Sequence, residues 1–249
     1  EAKRAIELQF FGPLRHPELR QAFGKPLGGG LLMYGPPGCG KSFIARAIAG
    51  EMGAAFLNVT VADVLDMYVG VSESNMHELF LMARRRAPIV LFFDEGHRLC
   101  NDHGSNSIAN IVKPLVTNPR LQLILATTCE EYQRYITTDR AFRRRFRELE
   151  VTEPNAEDTA RILESVAKVR YKDIVFEDGV FAFIAELSQS IMEERYNPDK
   201  SLEVLDAASG RHRLLTPGAA LNVDEVRTTV QEQFFGAEPR VGFRGPHGL

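Results

Sequence analysis

The chain has 249 residues, with 30 Lys or Arg against 33 Asp or Glu, and the resulting net charge of -3 provides no overall field that would draw it to nucleic acid or to an anionic membrane. Its longest apolar run, Ile89 to Phe93, is far too short to cross a bilayer. The three cysteines lack paired metal-ligand spacing, so we expect a cytoplasmic protein with neither a disulfide framework nor a zinc site.

The first predicted elements are a short helix over Glu1 to Phe11 and an apolar strand over Leu31 to Tyr34. The strand leads into a segment that fits the pattern G-x-x-x-x-G-K-[ST]: Gly35-Pro36-Pro37-Gly38-Cys39-Gly40-Lys41-Ser42. In this pattern backbone N–H groups surround a phosphate chain, the lysine reaches the outer phosphates and the hydroxyl binds Mg²⁺. An ordinary Gly/Pro turn is the alternative. The strand before the loop and the helix that begins at Lys41 favour nucleotide binding.

A second and a third strand are predicted at Ala55 to Val59 and at Ile89 to Phe93, and the third ends in Asp94-Glu95. Continuous apolar strands are typical of a parallel sheet covered on both faces. Acidic residues at the carboxyl end of such a strand lie where ligands bind in open α/β sheets. We therefore expect Asp94 to hold Mg²⁺ and Glu95 to act as the general base on an attacking water. This combination favours an ATP hydrolase over a nucleotide-binding shell.

Between these strands Tyr68 and Val69 lie in a predicted loop, and a helix begins at Ser72 or Ser74. A further helix is predicted over Ser105 to Thr117, followed by a buried strand from Leu121 to Ala126 that ends in Thr127-Thr128. The Thr128 hydroxyl is a candidate for holding the attacking water, although threonine is also a common strand residue.

The segment Asp139 to Arg147 contains five arginines in nine positions, which indicates either a solvated face or an anion site. Phe142 and Phe146 are spaced i,i+4 and predict a short helix whose aromatic anchors fix the direction of the arginines. One more strand is expected at Glu148 to Val151. The pattern then changes to helices, at Ala156–Val169, Gly179–Met192, Lys200–Arg211 and Val223–Phe235. This predicts an α/β domain over 1–153, a small helical domain over 154–235 and a tail over 236–249.

The phosphate loop, the Asp-Glu strand, the threonine-ended strand, the arginine cluster and the helical region occur in the order found in AAA+ ATPases, which the chain resembles over nearly its whole length. The first half, with Gly35 to Ser42, Tyr68-Val69-Gly70 and Asp94-Glu95, resembles the modules of ring-shaped protein unfoldases. The second half resembles the first ring of Clp-type disaggregases, through Ala126 to Tyr132, Asp139 to Phe146 and Pro198-Asp199-Lys200.

This resemblance implies a parallel-sheet P-loop NTPase domain with a small C-terminal helical lid. The Walker A loop would be Gly35 to Ser42, followed by Phe43 at the nucleotide, and the Walker B pair would be Asp94 and Glu95. Thr128 would be sensor 1, and Lys200 would sense the γ-phosphate from the lid. Arg144 and Arg145 would be arginine fingers that reach the ATP of the next subunit. A homo-oligomeric ring, most simply a hexamer, would then thread a polypeptide past Tyr68 and Val69 in its pore.

Three positions depart from the family pattern: Cys39 replaces a threonine, Gly96 replaces a bulkier apolar residue, and Thr128 stands where asparagine is frequent. None of these changes removes a charged catalytic group. The leading hypothesis is an Mg²⁺-dependent ATPase whose ring remodels protein. Two alternatives stay open, a nucleotide-gated assembly scaffold that does not thread, and a DNA-handling loader, which the net charge opposes.

Overall fold

A computed structural model describes residues 30–60, 79, 81–99, 121–191 and 195–234. Several predictions lie outside these ranges, namely the helices at 1–11 and 105–117, the start of the helix at 72–74, the pore-loop residues Tyr68 and Val69, and the tail from residue 236. The chain divides into two compact units, Glu1–Thr152 and Glu153–Leu249.

The first unit contains a five-stranded sheet in the order β2-β3-β4-β1-β5, and every neighbouring pair is parallel. The strands are β1 (Gly30–Tyr34), β2 (Ala55–Val59), β3 (Ile89–Phe93), β4 (Leu121–Thr127) and β5 (Phe146–Glu150). The predicted parallel α/β fold is confirmed. β5 begins two residues before the predicted Glu148, because Phe146 pairs with Gly30 and extends the ladder beside β1.

Alternate side chains of the central strands contribute to two apolar clusters on opposite faces of the sheet. In β3, Leu91 and Phe93 belong to one cluster, whereas Val90 and Phe92 belong to the other. One face is covered by α1 (Lys41–Glu51). The other is covered by the π-helical segment Tyr132–Ile136, which continues α2 (Cys129–Glu131), and by α3 (Arg140–Arg143). Burial on both faces explains why these strands carry continuous apolar runs.

The second unit packs α4 (Ala156–Arg170), α5 (Val180–Ile191), α6 (Asp199–Leu215) and α7 (Val223–Phe234) around its own apolar core. Two short strands, β6 (Val175–Phe176) and β7 (Ala220–Leu221), pair in parallel, and at two residues each they are too short to leave a periodic pattern. In this unit the buried His212 places Nδ1 2.6 Å from Glu225 Oε2, which joins α6 to α7. Across the described residues we find no helix whose length and apolar content would let it span a bilayer.

Candidate nucleotide site

Three neighbouring strands of the sheet end at one edge, and each is followed by a predicted site residue. The order β3-β4-β1 places Thr128, after β4, between Asp94, after β3, and Gly35, after β1. The Asp94 carboxylate is near enough to the Lys41 ammonium to favour the charged form of that ammonium. The carboxyl edge of the sheet therefore brings the phosphate loop, the acidic pair and Thr128 together, as expected for parallel strands.

The loop between β1 and α1 has the backbone shape that an anion needs. Gly38 and Gly40 have φ angles of 77° and 87°, a region that side chains disfavour. A Cβ at Gly35 would lie 2.0 Å from the carbonyl oxygen of Val151, so only glycine fits there. α1 begins at Lys41 with no side-chain cap and no acidic residue in its first turn. Its first N–H groups and its positive end are thus presented to the loop, where a phosphate group fits.

The Lys41 side chain hydrogen-bonds back to the start of this loop. Its Nζ donates to the carbonyl oxygens of Gly35 and Pro36, at 2.8 and 2.7 Å. Burial lowers the pKa of Lys41, and the nearby Cys39 and Asp94 oppose that effect. An ammonium has three N–H bonds, so the two bonds to the loop leave one for an oxygen of a phosphate chain.

The other predicted residues of the loop differ in their exposure. Cys39 is 6% exposed and belongs to the apolar cluster on the α1 face of the sheet, so its side chain packs inward. Pro37 is exposed, and Ser42 is partly exposed in the first turn of α1. Phe43, the next residue, is 75% exposed, which leaves a large aromatic ring uncovered beside the loop.

Both members of the acidic pair are exposed, and Glu95 has an unusual backbone. Its φ is 53°, in the left-handed region, and its N–H donates to Asp94 Oδ1 at 3.1 Å. Its Oε2 lies 2.7 Å from Arg98 Nη2, in an ion pair whose side chains are about half exposed. Such a pair is worth about 0–1 kcal/mol, so it can exchange readily for another contact.

Gly96 follows the pair and begins a 3-10 helix, Gly96–Leu99. A Cβ at this position would lie 2.9 Å from Cβ of Leu125 on β4. The close approach of this turn to β4 explains why a bulkier residue is absent here.

Glu131 is a site residue that the sequence analysis missed. Its Oε2 accepts hydrogen bonds from Thr127 Oγ1 at 3.1 Å, from the Thr128 N–H at 3.2 Å and from Thr128 Oγ1 at 2.9 Å. His97 Nδ1 also lies 3.2 Å from this oxygen. Burial alone would raise the pKa of Glu131, but the hydrogen bonds and the proximity of His97 outweigh burial and lower it. This carboxylate therefore connects the turn after β3 to the end of β4.

The Thr128 hydroxyl is engaged by the same carboxylate. It also accepts a hydrogen bond from the Glu131 N–H at 3.3 Å, so the two residues form a capping box at the start of α2. The sequence signal was present, because Thr-x-x-Glu is the pattern of this motif. As placed, the hydroxyl of the predicted sensor residue is bonded within its own chain.

The arginine cluster extends from α3 through the following turn into β5, and Arg144 and Arg145 lie on the turn. Phe142 and Phe146 are buried and stack with ring centroids 4.5 Å apart, so the two aromatics anchor the turn. Phe146 belongs to β5 rather than to a continued helix. Arg144 is exposed, and Arg145 is partly buried directly before β5.

Lys200 lies in the second unit, near the start of α6. Its side chain is buried, and its Nζ lies 3.5 Å from Glu153 Oε1. Its sensing role stays a prediction, and the same holds for Tyr68 and Val69, which lie outside the described residues.

Residues 31–153 match the family described as "ATPase family associated with various cellular activities (AAA)". This chain belongs to the AAA family. Residues 155–234 match the AAA lid domain, so the lid directly follows the ATPase domain. The predicted AAA+ ATPase module with a helical lid is therefore confirmed.

The chain is similar both to Clp-type chaperones and to a cell division control protein 48 homolog. The chaperone protein ClpB of Oceanobacillus iheyensis is 31% identical over 219 residues, covering 81% of this chain and 27% of the relative. The chloroplastic chaperone protein ClpC2 of Arabidopsis thaliana is 32% identical over 200 residues, 73% of this chain and 21% of the relative. The cell division control protein 48 homolog C of the same plant is 40% identical over 164 residues, 63% of this chain and 20% of the relative. The chain thus spans 20–27% of the length of these relatives.

The oxygen donors of the AAA module suit Mg²⁺. Within the part of the chain that the structure describes, no group of three or more His, Cys, Asp or Glu side chains is arranged to hold a metal ion. Mg²⁺ does not need such a group, since it keeps several waters and takes one or two protein oxygens together with phosphate oxygens. The Ser42 hydroxyl, in the first turn of α1, and the Asp94 carboxylate, after β3, fit this requirement.

Proposed function

We propose that this chain is the Mg²⁺-dependent ATP-hydrolysing module of a protein-remodelling ring. The observation that carries the proposal is the convergence of the phosphate loop and the Asp94-Glu95 pair at one edge of the sheet. Gly35 to Ser42 bind the triphosphate, and the exposed ring of Phe43 packs against the base. Ser42 and Asp94 hold Mg²⁺, which would neutralise phosphate charge.

Hydrolysis then follows from the side chains at this edge. Glu95 exchanges its exposed ion pair with Arg98 for the attacking water and accepts a proton from it. The water oxygen bonds to the γ-phosphorus while the bond to the β,γ-bridging oxygen breaks, which releases ADP and phosphate. Thr128 orients the water when its hydroxyl exchanges its bond to Glu131. Thr128 and Glu95 therefore both reach the water by giving up a contact within the chain.

The remaining steps act between subunits and on the substrate. Arg144 and Arg145 of one subunit reach the ATP of the next, where guanidinium charge contributes about 10³–10⁵ in rate in well-studied NTPases. Lys200 senses the γ-phosphate from the lid. Tyr68 and Val69 grip an extended polypeptide in the channel of a hexameric ring in the cytoplasm. Support for a remodelling role comes from the relatives named as chaperone proteins ClpB and ClpC2.

Two substitutions test the proposal in separate steps. Glu95→Gln should keep nucleotide binding, measured with a fluorescent ATP analogue, and lose turnover, measured as phosphate release. Tyr68→Ala should keep turnover and lose unfolding of a fluorescent protein that carries an unstructured tail. Glu130→Gln, on the exposed neighbour of Glu131, serves as the matched control that changes neither. Full turnover by the Glu95 variant would refute the hydrolytic assignment, and retained unfolding by the Tyr68 variant would refute threading.

A nucleotide-gated scaffold is the second candidate, and one observation favours it. Glu95 is paired with Arg98, and the Thr128 hydroxyl is bonded to Glu131, so both groups are engaged away from an attacking water. In a scaffold, ATP binding alone would order the assembly, and turnover would be slow and insensitive to unfolded protein. Electron microscopy of the Glu95→Gln variant with ATP separates the two functions, because only the threading ring should hold substrate density in its channel.

A further inference from the structure

Three consecutive arginines, Arg143 to Arg145, connect α3 to β5, and their side chains lie in different surroundings. Arg143 donates from Nε to Glu148 Oε1 at 2.6 Å and from Nη2 to Glu148 Oε2 at 3.0 Å. This bidentate pair uses the planar fork of the guanidinium, which the ammonium of lysine does not reproduce. Arg144, in contrast, is exposed at the end of α3. Arg143 is thus committed to its own subunit.

Glu148 has a second partner in Tyr132. The Tyr132 phenol hydrogen-bonds Glu148, and the Arg143 guanidinium carbon lies 5.8 Å from the centroid of the Tyr132 ring. The hydrogen bonds from Arg143 lower the pKa of Glu148, whereas burial and Glu148 raise the pKa of Tyr132 to about 12. At neutral pH the carboxylate is therefore ionised and the phenol protonated, which are the forms that both contacts require.

Tyr132 extends these contacts to the phosphate loop. Its buried ring stacks on Tyr34, with centroids 4.0 Å apart and an interplanar angle of 9°. Tyr34 is the last residue of β1 and directly precedes Gly35. The turn that carries Arg144 and Arg145 is therefore tied both to β5 and to the strand end from which the phosphate loop begins.

We propose that Arg143 and Glu148 are positioning residues that fix the direction in which Arg144 and Arg145 point. The pair joins the last residue of α3 to the third residue of β5, so it closes the base of the turn between them. With the base closed, the turn does not pivot about its two ends. This inference rests on the proposed function, in which Arg144 and Arg145 act on the ATP of the neighbouring subunit.

Arg143→Lys keeps the charge but loses the bidentate geometry, and Glu148→Gln keeps the shape but loses the charge. Displacing a catalytic group by about 1 Å costs about 10²-fold in rate, so kcat should fall by about 10- to 100-fold in either variant. Because the nucleotide loop of the same subunit is intact, KM for ATP should change by less than about threefold. Thermal unfolding shows whether each variant is folded, and two different variants keep the test valid if one of them is not.

Mixed rings distinguish a positioning role from general damage. Glu95→Gln subunits lack the base but supply intact arginines, whereas Arg143→Lys subunits keep the base and supply displaced arginines. An equal mixture should recover turnover to about a quarter of the wild-type rate, since about half of the sites carry a base and half of those have an intact donor as neighbour. The Glu95→Gln ring alone should be inactive, and the Arg143→Lys ring alone should keep about 1–10% of the wild-type rate, which is below the rate of the mixture.

A double variant, Arg144→Ala with Arg145→Ala, mixed with Glu95→Gln in the same way, is the control. If this control recovers turnover and the Arg143→Lys mixture does not, the positioning role is refuted and the trans arrangement stands. If the control itself does not recover, the trans arrangement of the proposed function fails, and the positioning role fails with it.

Discussion

Replacing Glu131 by Gln perturbs the carboxylate that connects the end of β4 to the turn after β3. The side chain keeps its length and one accepting oxygen, but the charge is lost. Three hydrogen bonds converge on that oxygen, two from Thr128 and one from Thr127, and His97 Nδ1 lies beside it. Only the electrostatic part of each contact is therefore removed.

The magnitude follows from the kind of hydrogen bond. A hydrogen bond to a charged group contributes about 1.5–3 kcal/mol, and one between neutral groups about 0.5–1.5 kcal/mol. The side chain of Glu131 is 32% exposed, which weakens each contact, and the contacts are not additive. We expect Glu131→Gln to lower the free energy of unfolding of the first unit by about 1–3 kcal/mol at pH 7. Glu130→Gln, on the exposed neighbour in the same short helix, should change it by less than about 0.5 kcal/mol.

The pH dependence of this difference has a definite sign. The pKa of Glu131 is lowered in the folded state, so its contribution is complete above its ordinary value of 4.5 and is lost as the pH falls through the folded-state pKa. The difference between wild type and variant should therefore shrink on acidification below pH 4.5. Urea unfolding followed by tyrosine fluorescence at several pH values measures it. An equal difference at every pH, or none at pH 7, would refute the assignment of Glu131 as an ionised acceptor.

Three further outcomes are expected. Removing the exposed ion pair by Arg98→Ala should raise kcat by no more than about fivefold, because the pair holds Glu95 by about 1 kcal/mol at most; a tenfold loss in phosphate release would instead give Arg98 a direct part in turnover. Gly35→Ala should destabilise the chain by about 1–3 kcal/mol in calorimetry and abolish ATP binding, whereas Gly50→Ala, with open space around its Cβ, should do neither. Tyr132→Phe should remove one phenol that ionises at about pH 12, seen by ultraviolet absorbance, and should reduce the loss of stability between about pH 10 and 12, since a raised folded-state pKa stabilises only below that range.

The sheet and its loop could be predicted closely from the sequence. β2 and β3 have the bounds that their sequences predict. Every residue of β3 is buried, so its apolar run is continuous. β2 lies at the edge of the sheet and is exposed at Ala55 and Asn58, and its short apolar run still marks it. The start of α1 at Lys41 could also be predicted, because the glycines directly before it disfavour an earlier start of the helix. In these segments local pattern and tertiary requirement coincide.

The contacts that join segments distant in the chain could not be predicted in the same way. His97 and Glu131 are 34 positions apart and meet only because β3 and β4 are neighbours. Arg143 lies in a helix and Glu148 in a strand, so neither helical nor strand spacing predicts that the two side chains pair. The start of β5 at Phe146 could not be predicted either, because Phe146 lies among arginines, and such a run suggests a solvated turn rather than a strand.

The backbone of Glu95 has a consequence for how this chain balances its needs. A residue with a Cβ in that conformation costs about 1–2 kcal/mol, and glycine would remove the cost. A chain with glycine at position 95 would therefore be more stable, but under the proposed mechanism it would lack the general base and would not hydrolyse ATP. The backbone conformation at position 95 favours glycine, whereas the proposed chemistry requires glutamate. The chain carries the glutamate, at a cost in stability.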